Sequence, residues 1–417
     1  MKTRFIIIAA TIIAIVSCSK SIESARQELS TGQTAMNSSH FRSYSDAEAF
    51  ANQFVLFLDG KTKTASRAIS NGGCVTIPQT KGSGKDTLFY YFNYANRAGF
   101  SIVNANKHAD PFICVTESGH YDGENGTGVP AVDFYLKNVK KELERSHPEI
   151  EPEDSLILPY SYTVDVYDGS SVSPLLTTKW GSIGVFGAYC PYQNSCGLVA
   201  AIAQIMAYHG KPYSYYLSVP VGGFSTGTLM SPNWYYMKMH VKNHTNSQIC
   251  DGYHYQISAL YADIGFQAGL NYFPDGSIGY FPNPASSVFN HYGFTAGALS
   301  SVNVSTITSS LDVHRPVFMT GSDNSAGKHE WVADGYQDYL IYRKTYAQTG
   351  PGPGYYLVNT VFIGEVHSLH INWGWQGECN GYFNFNTYNT NNAVSYDEGN
   401  GSTYNFSSNL EMIANIY

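Results

Sequence analysis

The stretch that decides the fold is NSCGLVAAIAQIMAYHGKP, which occupies residues 194–212. Its segment from Leu198 to Ala207 is apolar almost all round, which predicts a helix buried in a core. Cys196 stands at the start of that helix, where Asn194 or Ser195 can cap the N-terminus. The helix dipole and free backbone N–H groups would favour a thiolate there and stabilise an oxyanion. The alternative is a buried cysteine that only fills space.

Two downstream stretches supply the partners that a nucleophilic thiol needs. In SAGKHEWVADGY, residues 325–336, His329 lies at the entry of a predicted strand, where an imidazole can project into a cleft and act as a base. In HINWGW, residues 370–375, the Asn372 amide oxygen can accept the imidazole N–H, and Trp373 can shield that bond from water. The order Cys, His, Asn matches papain-like chemistry. The alternative for His329 is an ordinary surface histidine near a loop.

The composition is that of an ordered globular chain with room for two domains. Its 417 residues are 43% hydrophobic and 13% charged, and they include 34 Tyr, 22 Phe and 39 Gly. The net charge of -8 argues against a nucleic-acid partner, because phosphate binding needs a basic face. In the C-terminal part a helix-rich half precedes a strand-rich half, which predicts an α+β fold.

Hydrophobic periodicity predicts helices and short strands in both parts of the chain. The helices are Asp46–Leu58 with Ser45 as N-cap, Ala131–Leu143, Leu198–Ala207 and Tyr255–Gly265. The strands are Leu88–Tyr94, Gly99–Val103, Phe112–Val115, Arg315–Thr320, Glu330–Ala333, Tyr355–Val358 and His370–Trp373. A polar stretch marked by Pro and Gly, from Pro148 to Ser171, predicts a domain boundary near residue 170.

The N-terminus indicates export. Lys2 and Arg4 precede an apolar run from Phe5 to Val16, which is the pattern of a secretory signal and too short for a permanent membrane span. The following Cys18 completes a sequence similar to the bacterial lipobox, which implies a signal peptide over 1–18, lipidation of Cys18 and a membrane anchor. An ordinary signal peptide with an incidental cysteine is the alternative. Residues 19–44 are polar and predict a flexible tether.

Several stretches together resemble the streptopain family of bacterial cysteine peptidases. They are PLLTTKWG at 174–181, AQIMAYHGKP at 203–212, HxWVxDGY at 329–336, NWGWxG at 372–377 and NGY at 380–382, with GFSIV at 99–103 and PFIC at 111–114 further upstream. The resemblance covers about residues 45–417. It implies a papain-like peptidase domain over 171–417 behind an inhibitory prodomain over 45–170. It also implies that Cys196 is the nucleophile, His329 the general base and acid, and Asn372 the orienting group.

Three departures from the family pattern concern the site. Ser182 stands where the family has a glutamine that completes the oxyanion hole, with Gln193 as a candidate substitute, and loss of one such donor can cost about a hundredfold in rate. A gapless match places Gly197 where the family has its cysteine. A shift in where the helix begins would absorb that difference. Lys328 and Glu330 flank His329 where small residues are usual, and Glu330 could pair with the imidazolium or restrict the cleft.

These observations predict an exported cysteine endopeptidase, made as a zymogen, that acts on proteins or peptides without a metal or cofactor. Its own prodomain would be its inhibitor, and Trp373 and Trp375 would border the cleft. A catalytically impaired homologue that serves as a surface-anchored binding protein stays open, as does another acyl-transfer reaction. The other cysteines lack zinc-ligand spacing and leave the disulfide pattern open. The spacing of His240 and His244 suits a solvated surface better than a metal.

Overall fold

The protein is described by a computed structural model over most of its length. The described residues are 41–58, 67–78, 85–145, 161–239, 253–279, 284–323, 327–347, 355–384 and 410–417, without the single positions 108, 110, 124, 183 and 276. The predicted signal segment, Cys18 and nearly all of the predicted tether lie outside these residues, as do His240 and His244. Within the described part of the chain, no helix is long and apolar enough to cross a membrane.

The N-terminal third follows the predicted pattern of helices and strands. Two helices, α1 (Tyr44–Leu58) and α2 (Pro130–Arg145), lie where apolar periodicity predicts them. Between them lie the strands β1 (Ile69–Pro78), β2 (Lys85–Tyr94), β3 (Phe100–Asn104) and β4 (Phe112–Thr116). Both faces of β3 and β4 are buried, which explains their unbroken apolar runs.

The N-terminus of α1 is capped by Ser43. The backbone N–H of Asp46 donates to Ser43 Oγ at 3.1 Å, and the backbone N–H of Ser43 donates to Asp46 Oδ2 at 3.3 Å. The prediction of Ser45 as N-cap is therefore wrong, because Ser45 already lies in the first turn. A reciprocal capping box of this kind contributes about 1 kcal/mol to helix stability.

The remaining elements follow after α2. They are β5 (Ser161–Val172), α3 (Gly197–His209), β6 (Tyr215–Tyr216), β7 (Leu229–Met230), α4 (Trp234–Met239), α5 (His254–Gln267), β8 (Asn271–Tyr272), β9 (Ile278–Gly279), α6 (Ala285–His291), β10 (Ser300–Ser301), α7 (Val304–Asp312), β11 (Val317–Asp323), β12 (Gly327–Ala347), β13 (Tyr356–Asn372), β14 (Gly381–Asn384) and β15 (Glu411–Ile413). The predicted helices at 198–207 and 255–265 are confirmed as α3 and α5.

One antiparallel sheet runs through both parts of the chain. Its strand order is β1-β2-β3-β4-β14-β13-β12-β11-β15-β10, and β5 pairs with the distal half of β12. The two parts join where β4 pairs with β14, with Thr116 opposite Gly381 and Cys114 opposite Phe383. The predicted boundary at residue 170 falls inside β5, whose residues pair with Tyr336–Ala347 of β12. The domain ranges themselves stay a prediction.

Strands β12 and β13 are much longer than the sequence predicts. The predicted strands at 355–358 and 370–373 are mostly parts of the single strand β13, and β12 continues well past Ala333. Their distal halves form, with β5, a three-stranded part of the sheet. Side chains near its end are exposed, including Tyr356 at 62% and Phe362 at 53%. Pairing with a neighbour lengthens these strands beyond what local alternation predicts.

The two largest hydrophobic cores of the described residues lie on opposite faces of the sheet. The first contains α3, α5, Phe318 and Val332, and every residue of α3 from Leu198 to Ala207 is buried in it. The second contains Trp331 and Trp373 together with residues of α2, such as Tyr135. Side chains of the N-terminal third therefore share a core with the strands that carry the candidate site.

Candidate active site

Cys196 lies immediately before α3. Its backbone is extended, with φ -136° and ψ 172°, and it occupies the N-cap position without a side-chain capping bond. The helix begins at Gly197, so the expectation that Cys196 stands within the first turn is wrong by one residue. The predicted caps, Asn194 and Ser195, lie before that position, and the Asn194 side chain accepts a hydrogen bond from the Ser195 backbone at 3.0 Å. Gly197 is thus the first helical residue.

Gly197 is the point at which α3 meets β12. A Cβ atom on Gly197 would lie 2.9 Å from the carbonyl oxygen of Glu330 and 3.2 Å from its Oε2. Glu330 is only 3% exposed, so its carboxylate fills the space that a side chain at position 197 would need. A carboxylate is also favoured at the N-terminus of a helix. The hypothesis that Glu330 restricts the cleft stays a prediction.

His329 lies in β12 next to this contact, paired with Gly321 of β11. The residue is partly buried, and its Nε2 is shielded from solvent. Side chains alternate along a strand, so Glu330 points to the α3 face of the sheet while His329 starts on the opposite face with Trp331. The structure therefore brings Cys196 and His329 to the same end of β12. The role of His329 as base stays a prediction.

Asn372 ends β13 and is almost fully buried. Its Nδ2 donates to the Thr178 carbonyl at 3.0 Å, and its Oδ1 accepts from the Gly374 backbone at 3.1 Å. Both atoms also bond to the side-chain amide of Gln204. These bonds hold three segments of the chain around Asn372. Its predicted contact with the imidazole of His329 stays a prediction.

The two candidate oxyanion donors have different surroundings. Ser182 is buried, and its neighbour Gly181 packs so closely on Gln376 that a Cβ would lie 2.6 Å from Gln376 Cγ. The Ser182 segment therefore lies against the loop that follows Asn372. Gln193 is exposed and has a left-handed backbone with φ 54°. A role for either residue at an oxyanion stays a prediction.

The two tryptophans after Asn372 differ in exposure. Trp373 is 3% exposed, and its ring centroid lies 5.4 Å from Trp331 and 6.5 Å from Tyr135 of α2. Trp375 is 37% exposed. Between them, Gly374 has φ 69°, and a Cβ there would lie 3.4 Å from Ala200 Cβ of α3. Trp373 thus belongs to the core, whereas Trp375 faces solvent beside α3.

The described cysteines are all free thiols. They are Cys74, Cys114, Cys190, Cys196 and Cys379. Burial raises the pKa of the Cys190 thiol to about 12 and that of the Cys379 thiol to about 12. Thiols of this kind react slowly, because the thiolate is the nucleophile. Cys196 is instead only partly buried and lies at a helix start. Cys250 lies outside the described residues.

An ionic cluster that the sequence reasoning missed is built around a buried pair, His370 and Asp334. His370 Nδ1 is 2.6 Å from Asp334 Oδ1, and His370 Nε2 is 3.4 Å from Glu117 Oε1. Lys179 Nζ lies 3.6 Å from the other oxygen of Glu117. One feature of the sequence pointed to His370. It lies two residues before Asn372, so both side chains lie on the same face of a strand.

The charges of this cluster shift its pKa values in opposite directions. Burial opposes ionisation of Glu117, but the contact with His370 and the charges of His370, Lys179 and Arg67 outweigh burial and lower its pKa to about 2. Burial likewise opposes protonation of His370, but Asp334 and Glu117 raise its pKa to about 9. The imidazolium therefore links the N-terminal third to the strands of the site.

The described fold joins an N-terminal α+β part, through one sheet, to a part in which α3 packs on the strands that carry His329 and Asn372. Residues 180–383 match the Peptidase C10 family, and residues 39–143 match the Spi protease inhibitor family. Streptopain from Streptococcus pyogenes is 22% identical over 334 residues, which cover 72% of this chain and 74% of that protein. This chain therefore belongs to the streptopain-like family of cysteine peptidases with an N-terminal inhibitory prodomain.

Two further relatives define how far the similarity extends. The thiol protease/hemagglutinin PrtT from Porphyromonas gingivalis is 23% identical over 367 residues, which cover 80% of this chain but only 37% of PrtT. A prointerpain A fragment from Prevotella intermedia aligns with a TM-score of 0.51 at 18% identity and covers 82% of this chain and 98% of that fragment. This alignment supports the fold alone. The α+β, papain-like fold with a prodomain is confirmed.

Proposed function

We propose that this protein is a cysteine endopeptidase, made as a zymogen, in which Cys196 attacks the peptide carbonyl. The observation that carries the proposal is the contact of the first residue of α3 with Glu330, where a Cβ on Gly197 would lie 2.9 Å from the Glu330 carbonyl oxygen. That contact fixes the chain segment of Cys196 beside the residue that follows His329. A thiol next to a helix N-terminus is suited to nucleophilic catalysis, and the proposal assigns the base to His329 in the adjoining strand.

The proposed reaction proceeds through an acyl-thioester. The Cys196 sulfur forms a bond to the peptide carbonyl carbon, and His329 accepts the thiol proton. His329 then gives that proton to the leaving amine as the peptide C–N bond breaks. Water then attacks the thioester, with His329 as base, and releases the acid and the free thiol. Free backbone N–H groups at the start of α3 would stabilise each oxyanion, with Ser182 or Gln193 as the second donor.

We propose that the prodomain inhibits the peptidase by direct packing. Support comes from β4, which pairs with β14, and from Tyr135 of α2, whose ring lies 5.1 Å from Phe383 and 6.5 Å from Trp373. Activation then needs a cut that frees α2 and β4 from these contacts. Because β5 is paired along β12, we place that cut in the polar stretch before Ser161.

Labelling with E-64 tests the proposed nucleophile. We expect the full chain, after limited trypsin cleavage between the domains, to take up one E-64 molecule on the peptide that contains Cys196 and to hydrolyse casein. Cys196→Ala should lose both properties. Cys190→Ala, which removes a nearby buried thiol, should keep them. An intact adduct in Cys196→Ala, or no adduct in the cleaved wild-type chain, would falsify the assignment.

A second candidate function is a catalytically impaired homologue that binds other proteins at a surface. The position of the Glu330 carboxylate favours it, because Oε2 lies 3.2 Å from where a Cβ on Gly197 would be. A negative charge at the start of α3 would oppose both the thiolate and the oxyanion. This candidate expects no casein hydrolysis by the cleaved wild-type chain.

We also propose that the protein is exported and held on a membrane through a lipid on Cys18. The support is the basic start, short apolar run and cysteine of the first 18 residues. Expression in a bacterial host with radiolabelled palmitate should give a labelled chain in the membrane fraction. Cys18→Ser should lose the label, whereas Cys74→Ser should retain it. A label that persists in Cys18→Ser would exclude lipidation at that residue.

A further inference from the structure

The side chain of Gln204 is fully buried in α3, two turns beyond Cys196. Its Oε1 accepts a hydrogen bond from Thr178 Oγ1 at 3.0 Å and another from the Trp180 backbone at 3.1 Å. These bonds tie the helix that follows Cys196 to the segment that leads to Ser182. A polar group in a core is costly unless it is hydrogen-bonded, and here both the oxygen and the nitrogen of the Gln204 amide have partners.

The amides of Gln204 and Asn372 face each other in a reciprocal pair. Gln204 Nε2 donates to Asn372 Oδ1 at 3.2 Å, and Asn372 Nδ2 donates to Gln204 Oε1 at 3.1 Å. Asn372 is in turn bonded to the Thr178 carbonyl and to the Gly374 backbone. The pair therefore joins α3, the 178–182 segment and the loop after β13 at one point.

Each of these three segments carries part of the proposed reaction. Helix α3 carries Cys196 at its N-terminus, the second segment carries Ser182, and the loop after β13 carries Trp375. Backbone contacts alone would leave each segment free to shift along its neighbour, because side chains of the core are mostly apolar and their packing is not directional. Paired amides in a low-dielectric interior fix distance and orientation together.

We propose that Gln204 is a positioning residue for the active site, acting through its amide pair with Asn372. This proposal rests on the proposed function, because the reaction that Gln204 would serve is the one proposed for Cys196. Gln204 touches neither the thiol nor the substrate position, and it sets the place of Cys196 relative to the other two segments. Asn372 then contributes to the site chiefly as the partner of Gln204.

Gln204→Met tests this role, because methionine has a similar length and no amide. We expect kcat on casein to fall roughly 10- to 100-fold with little change in KM, since a displacement of about 1 Å can cost a hundredfold. We also expect the pH profile for alkylation of Cys196 by iodoacetamide to move. Peptide mass spectrometry separates that thiol from the others.

Ile205→Ala is the matched control, because Ile205 is the next residue of α3 and equally buried but makes no hydrogen bond to the site. Its lost packing should lower the unfolding temperature, as the loss of the Gln204 hydrogen bonds should. Below its unfolding temperature, its alkylation profile and kcat should match those of the wild type. Equal changes in the two variants, or no change in Gln204→Met, would overturn the proposal.

Gln204→Glu provides a rescue by pH. The protonated carboxylic acid can again donate to Asn372 Oδ1, whereas the carboxylate cannot, and burial favours the protonated form. The alkylation rate relative to wild type should therefore recover as pH falls, and Gln204→Met should show no such recovery. Alkylation is measurable without turnover. A wild-type chain that cleaves no casein would therefore refute the proposed function, while the alkylation profiles would still decide the role of Gln204.

Discussion

Replacing Glu330 with glutamine is expected to raise the thiolate fraction of Cys196 near neutral pH by roughly 10- to 100-fold. The carboxylate lies against Gly197, the first residue of α3 and the chain neighbour of Cys196, at the positive end of the helix. Two unit charges about 6–10 Å apart interact by roughly 1.5–3 kcal/mol at the effective dielectric of a protein, which corresponds to about 1–2 pKa units. Glutamine keeps the shape and removes the charge.

The measurement is the pH dependence of Cys196 alkylation by iodoacetamide in the two proteins. Glu365→Gln is the matched control, because Glu365 pairs with Leu340 far along β12 and its loss should leave the profile of Cys196 unchanged. An unshifted profile in Glu330→Gln would show that the carboxylate has no influence on the thiol. Casein hydrolysis gained only in Glu330→Gln would favour the impaired homologue as the natural state.

Raising the pH from about 6.5 to about 9 is expected to lower the free energy of unfolding by about 3 kcal/mol through His370 alone. The pKa of His370 is raised to about 9 in the folded protein, against an unfolded value near 6.5. A group whose folded pKa is raised stabilises the fold fully below its unfolded pKa and loses that contribution as pH rises through the folded value. The neutral imidazole no longer compensates Asp334 and Glu117.

Chemical denaturation at several pH values checks this expectation. In His370→Gln, the free energy of unfolding should not show the decrease that His370 causes in the wild type as pH rises. His291→Gln, which removes an exposed histidine of α6, should decline as the wild type does. Glu117→Gln should show a smaller decline, because Asp334 remains 2.6 Å from the imidazole. The decline in the free energy of unfolding should differ between Glu117→Gln and wild type. That difference measures the contribution of the contact between Glu117 of the prodomain and His370 of the peptidase strands. Parallel curves for His370→Gln and wild type would refute the expectation.

Local patterns predicted the helices well and the strands less well. The helices α1, α2, α3 and α5 lie within a few residues of their predicted bounds, because apolar side chains at helical spacing identify a buried face without knowledge of the neighbours. The N-cap of α1 is Ser43 and not the predicted Ser45, because the cap is set by the residue at which the first helical turn begins. β12 and β13 exceeded their predicted lengths because strand length depends on the partner.

The sequence predicted the neighbourhood of the site but not its internal geometry. The motifs around Cys196, His329 and Asn372 come to adjoining segments, as the family resemblance implies. Their alignment could not show that α3 starts at Gly197, which leaves Cys196 at the N-cap. Nor could it show where the Asn372 amide bonds, because Thr178 and Gln204 are far from it in the chain and meet it only through packing.

The stretch at 194–212 by itself predicted a buried helix with a cysteine at its start. Together with the other motifs it indicated the family. An apolar pattern and a set of ordered motifs are properties of the chain that need no contacts. Only the tertiary structure decided that Glu330 fills the space beside Gly197, that Gln204 pairs with Asn372 and that His370 meets Glu117. Those contacts join residues distant in sequence. They depend on sheet register and on how α3 lies on β12, which no local pattern encodes.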